Sequence, residues 1–318
     1  MTSLGFPTAM RFFSLPARGL LPAALLAVTP LPVSAQRAPA VPAAAIAAPD
    51  YAEVADLVLQ SPMVVDATIR SAARIKGAEA AGVAPGHTRF YVEGDVIALV
   101  RGTGAIPARV GWLVDVPPDW RGRTPNLKKQ RVLAFARPVA GRPDQLQLVT
   151  PEAQRSWSPP LESLARRIAQ EAAAPDAPPV VTGVRNAFHV PGALPGEGET
   201  QIFLTTEGDR PAALSILRRP GEQPRWSVAL SEIIDDSAAA PARDTLLWYR
   251  LACALPPALP ERSTAALSPE DAQVAREDYG VVMAALGSCR NGTDAAVPPA
   301  LSGNGVSAGS VSGGGAPM

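Results

Sequence analysis

The chain of 318 residues is 47% hydrophobic and 18% charged, enough to bury a core in one or two domains. Lys+Arg and Asp+Glu are equal at 29 each, so no net field draws it toward nucleic acid, and two histidines and two cysteines are too few for a histidine-rich zinc site. Its 35 prolines favour short elements joined by extended connections.

Residues 1–35 read as a signal peptide. Arg11 and Arg18 supply a positive start, "GLLPAALLAV" is a short apolar run, and "LPVSAQ" places Val33 and Ala35 ahead of a cut before Gln36. Pro22, Pro30 and Pro32 interrupt the stretch from Gly19 to Gln36, which is too short to span a bilayer comfortably. The expectation is a periplasmic or secreted protein with no stable membrane anchor after cleavage, its remainder carrying a net charge of −2. Export makes the only two cysteines, Cys253 and Cys289, an expected disulfide. Each falls near a predicted helix end, and the C-x-x-C spacing of a redox pair is absent.

Residues 36–49, "QRAPAVPAAAIAAP", form an Ala/Pro linker. Asp50 then opens a short helix, with Glu53 three residues on as in a capping box. Five stretches of period-two alternation follow. They are "VVDATIR" (Val65, Ala67 and Ile69 against Asp66, Thr68 and Arg70), "TRFYVEGDVIALV" with a bulge at Gly94-Asp95, "ARVGWLVDVP" (Val110, Trp112, Val114), "QRVLAFARPV" (Leu133, Phe135) and "QLQLV" (Leu146, Leu148). Alternation of this kind predicts strands with one wet face. Five strands followed by "SPPLESLARRIAQEAA", a helix capped by Ser158, suggest a small OB-like barrel over 50–174. That plan places a helix between strands three and four, where this chain has "PPDWRGRTPNLKK" instead.

"APDAPP" breaks the pattern and predicts a linker at 175–179. In a second domain over 180–290, "VVTGVRNAF", "TQIFLTT", "AALSILR" and "RWSVALSEI" read as strands, with "TEGDR" and "RRPGEQP" as turns. Two helices complete it, one capped by Asp244 and one opened by Ser268 and Pro269. Residues 291–318 are a Gly/Ser-rich tail with the composition of a disordered segment. The fold class expected is α+β, mainly β: an OB-like barrel with flanking helices, then a small antiparallel sheet with two disulfide-linked helices.

The stretches "FHVPGALPGEGETQIFLTT", "LRRPGEQPRW" and "DTLLWYRLAC" are similar to those of uncharacterised secreted proteins of GC-rich Gram-negative bacteria. The resemblance implies export and brings no activity, cofactor or site residue with it.

Motifs for chemistry are sparse. "GVSAG" (Gly305 to Gly309) fits a nucleophile elbow only in spacing, because it lies in the tail and not between a strand and a helix. "RGTGAIP" and "PGEGET" lack the full phosphate-binding spacing. Glu232, Asp235 and Asp236 of "SEIIDD" lack a calcium-loop pattern, and no metal or cofactor is expected. The loop Pro117 to Lys129 carries Trp120, Arg121, Arg123, Lys128 and Lys129 with one acid, Asp119, a sum of +3. A flat ring beside guanidinium groups suits sugars or anionic groups. Two functions follow: a non-enzymatic envelope protein binding a protein partner or anionic glycan through loop 117–129, or a secreted hydrolase built around His189 or His87.

Overall fold

Asp50 accepts the backbone N–H of Glu53 and opens helix α1 (Tyr51–Gln60) as the sequence predicts, while the Glu53 carboxylate reaches Arg155 at 2.7 Å. The computed structural model describes residues 48–231 and 238–290. The expected signal peptide (residues 1–35), residues 36–47 of the expected linker, the acidic stretch 232–236 and the expected tail 291–318 lie outside the described residues.

Five strands follow: β1 (Met63–Arg74), β2 (Thr88–Arg101), β3 (Arg109–Val116), β4 (Arg131–Val139) and β5 (Arg142–Leu148). Each neighbouring pair is antiparallel except β3 and β5, which run parallel. The order β1-β2-β3-β5-β4, with β4 returning to β1, closes the barrel in the expected OB-like arrangement. A short β6 (Gln154–Ser156) pairs with the first half of β4, and helix α2 (Pro159–Ala173) then packs on α1 and β2. Ser158 caps α2 as predicted.

The barrel interior takes Val65, Ala67, Ile69, Val110, Trp112 and Val114 from the set read from the alternation. Leu133 and Phe135, though buried, stand opposite Asp66 and Val64 on the outward face, and Val132 and Ala134 face the interior from β4. Gly94 is not the centre of a bulge. The register shifts instead leave Arg70 on β1, opposite Gly94 and Glu93, and Ile97 and Val100 on β2 as the extra residues. Gly94 is small because a Cβ there would meet the Trp112 ring at 2.7 Å. The wet face also needs correction, since Asp66 and Asp115 point away from the interior and are nevertheless buried. Arg131 holds Asp66 through two bonds of 3.0 and 2.6 Å and lies on the Trp157 ring. Arg89 holds Asp115 in the same way at 2.7 and 2.8 Å.

The second half is a separate four-stranded antiparallel sheet of β7 (Val181–Pro191), β8 (Gly198–Thr206), β9 (Ala213–Arg218) and β10 (Arg225–Ala229), in the order β10-β9-β8-β7. Val184, Ala187, Ile202, Leu204, Leu214, Ile216 and Val228 form its buried side. Helix α3 (Leu246–Ala252) is capped by Thr245, whose hydroxyl accepts the Trp248 N–H at 3.3 Å. The expected cap, Asp244, stands one residue too early and has a left-handed φ of 60°. Helix α4 (Pro269–Leu286) starts at Ser268 as predicted and packs on β7 and β8.

Cys253 ends α3, Cys289 follows α4, and the two are disulfide-bonded with Cα atoms 5.1 Å apart. Closing that 36-residue separation is worth at most about 4 kcal/mol through the unfolded chain. Replacing both cysteines with serine should lower the melting temperature while far-ultraviolet circular dichroism keeps its native shape below the transition. An unchanged melting temperature would show that the bridge adds nothing to stability.

Candidate functional site

The loop Pro117 to Lys129 joins β3 to β4, and the structure divides it into two parts. The first is organised by Asp119. One carboxylate oxygen accepts the backbone N–H groups of Arg121 and Arg123 at 2.9 and 2.8 Å, and the other accepts the Arg123 guanidinium at 3.1 and 3.0 Å. The backbone closes the turn from Gly122 to Asp119 and from Asp119 to Arg123, both at 2.8 Å. Gly122 supplies the left-handed φ of 74° that this geometry needs. The Arg123 backbone N–H, with its guanidinium and the Arg121 N–H, holds the Asp119 carboxyl below its ordinary value. The turn therefore stays organised above the usual carboxylate range and loosens only as pH falls through the lowered value.

Trp120 stands at the tip of this turn, 83% exposed, with the Arg121 guanidinium 4.1 Å from its ring centroid. It covers no barrel end. Leu127 does that work in the second part of the loop, where it is 3% exposed and joins the core. Asn126 accepts the Lys128 N–H at 3.1 Å, and the Lys129 N–H bonds to Ile69 of β1 at 2.7 Å. Trp120, Arg121 and Arg123 thus share one turn, while Lys128 and Lys129 are exposed on another turn docked on β1. Asp119 neutralises Arg123. Among the described residues no carboxylate lies within ion-pair distance of Arg121, Lys128 or Lys129.

The histidines belong to different surroundings. His87, just before β2, lies 3.2 Å from the Pro85 carbonyl through Nδ1 and 3.2 Å from Glu152 through Nε2. His189, on β7, contacts the Thr200 hydroxyl at 2.9 Å through Nδ1. Thr200 donates to Asp278, and the other oxygen of Asp278 accepts Arg218 Nε at 2.6 Å. Because the Thr200 proton goes to Asp278, its oxygen accepts from Nδ1–H, and this fixes the His189 tautomer. The row contains a histidine, a hydroxyl and a carboxylate, but Thr200 is fully buried and its proton is committed. A nucleophile needs a reachable hydroxyl paired to a free base.

Sequence reading missed the buried carboxylates Asp66, Asp115 and Asp278. Asp66 and Asp115 lie at strand positions whose wet or dry character depends on what packs outside the barrel, and Asp278 lies on α4, where Thr200 of β8 and Arg218 of β9 meet it. The acidic residues 232–236 lie outside the described residues. Among the described residues no group of three His, Cys, Asp or Glu side chains is placed to hold a metal ion. No known family model and no curated protein matches the chain.

Truncating the two apolar side chains of the loop should have opposite consequences. Leu127→Ala should cost about 2–3 kcal/mol, because it empties a core position. Trp120→Ala should change stability by less than about 0.5 kcal/mol, because little of the ring is buried. Urea unfolding of the two variants checks both values, and equal losses would mean that the tryptophan is part of the core.

Proposed function

We propose that the chain is an exported envelope protein that binds rather than catalyses, and that it contacts an acidic protein surface or an anionic glycan through loop 117–129. The observation that carries this reading is Trp120, presented to solvent at 83% exposure under a stacked guanidinium on a turn fixed by Asp119. An exposed ring of this size contributes little to folding and offers a large contact area once a partner covers it. The Asp119 bonds reduce the entropy that would be lost on binding. Arg121, Lys128 and Lys129 add positive charge with no carboxylate partner among the described residues, which suits an anionic surface. The disulfide accords with an oxidising compartment such as the periplasm.

The test compares the exported chain with a triple variant, Arg121→Ala, Lys128→Ala and Lys129→Ala, leaving Arg123 in place to hold Asp119. Polygalacturonate serves as the glycan probe and a detergent extract of the envelope as the protein source. Retention should fall in the triple variant and in Trp120→Ala at unchanged melting temperature, and its dependence on salt should flatten in the triple variant. Equal retention of all three proteins would remove the loop from any binding role.

A further inference from the structure

The barrel wall made by β2, β3 and β5 carries a groove of about 710 Å3 whose lining includes no residue of loop 117–129. It arises from the parallel pairing, in which β3 and β5 join only through Gly111 with Gln145 and Trp112 with Leu146. Beyond those residues the strands part. Leu113 is left 50% exposed and Gln147 exposed, while buried Trp112 forms the floor.

Tyr91 stands opposite Leu113 in the β2–β3 register. Its side chain crosses β3 over Gly111, and only a glycine allows this, since a Cβ at position 111 would lie 2.3 Å from the phenol oxygen. Gln145 Nε2 donates to that oxygen at 3.1 Å and holds the ring in place. Fixed charge is nearly absent along the groove. Arg89 is consumed by Asp115 at one end, and Arg142 is the cation at the other.

We infer that this groove binds a linear chain of neutral, hydroxyl-rich sugars. An aromatic ring lying along a sheet offers its face to the C–H side of a pyranose. The carboxamides of Gln145 and Gln147 each present a donor and an acceptor side by side, which matches neighbouring hydroxyls. A pocket of this volume with a few fixed polar groups on an apolar floor has the make-up of a small-ligand site. A single-stranded nucleic acid would need successive stacking rings and a basic track, and one tyrosine with one free arginine supplies neither.

Calorimetric titration of the exported chain with cellohexaose, chitohexaose and the oligonucleotide (dT)8 tests the assignment, in about 0.5 M salt so that contacts at the charged loop are screened. At least one hexasaccharide should bind with a Kd of about 1 mM or tighter. Tyr91→Ala should weaken that binding about tenfold or more, and Gly111→Ala should do the same by pushing the ring aside without removing it. Position 111 has no left-handed backbone conformation, so Gly111→Ala tests the ring even if Tyr91→Ala fails to fold. Failure of both sugars to bind at about 10 mM overturns the assignment, as does wild-type affinity in the variants or binding of (dT)8 alone. Loss of the charged-loop reading would leave this result untouched, because high salt removes that loop from the measurement.

Discussion

Closure of the barrel depends on β1, which pairs with β2 along one edge and β4 along the other. A strand paired on both edges has no choice of register left. Its inward set of Val65, Ala67 and Ile69 fills the interior, and its outward set faces whatever packs outside. Asp66 belongs to that outward set and is buried, so it has to carry a partner. Arg131 of β4, the strand that closes the barrel, provides it. A slip of β1 by one residue would turn Asp66 into the apolar interior, away from its arginine. The ion pair therefore selects the register, even though a buried pair of this kind need not add net stability. The same rule explains Asp115, whose arginine also reaches the carbonyls of Glu79 and Ala81 and so ties the β1–β2 connection to β3.

A second constraint binds the two ends of the described chain. Tyr51 of α1 donates to Glu171 of α2, and Glu171 also accepts the backbone N–H of Leu246 at the start of α3. Tyr249 of α3 donates to Asp56 of α1, which also takes Arg290 just beyond the disulfide. Burial, reinforced by the neighbouring carboxylates, pushes both tyrosine hydroxyls well above their ordinary range, so they remain donors at any physiological pH. The disulfide ties Cys289 to the end of α3, and the next residue, Arg290, reaches Asp56 of α1 as an ion pair. Helices from before the barrel and after the sheet are thus joined by two polar clusters, one on Glu171 and one on Asp56.

Much of the fold was legible because its signals are local. A cap such as Asp50, Ser158 or Ser268 acts within three residues of itself. Alternation identified the inward residues of β1, β2, β3 and β5 but took the outward phase on β4, where both faces are buried, and the expectation of export paired the cysteines. The misreadings share a different cause. Asp66 looked wet because its environment is set by Arg131, 65 positions away. Gly94 looked like a bulge because its neighbour Trp112 becomes visible only once β2 and β3 are in register. Asp244 and Thr245 are both good caps, and the backbone conformation at 244 decides between them. The groove was invisible for the same reason, since Tyr91, Gly111 and Gln145 come from three strands.

The charged loop shows how such a chain can keep folding and recognition apart. Its length exceeds what a hairpin needs, and the surplus is divided by function. Leu127 seals the core and the Lys129 N–H joins β1, so the second part belongs to the fold. The Asp119 turn depends on itself, with its internal bonds running among residues 119 to 123. Substitutions at Trp120 or Arg121 therefore leave the barrel's own contacts in place. The groove under Tyr91 lacks that separation, because its floor is Trp112, a residue of the barrel core. Recognition at the loop can change residue by residue, whereas the groove is tied to the packing that closes the barrel.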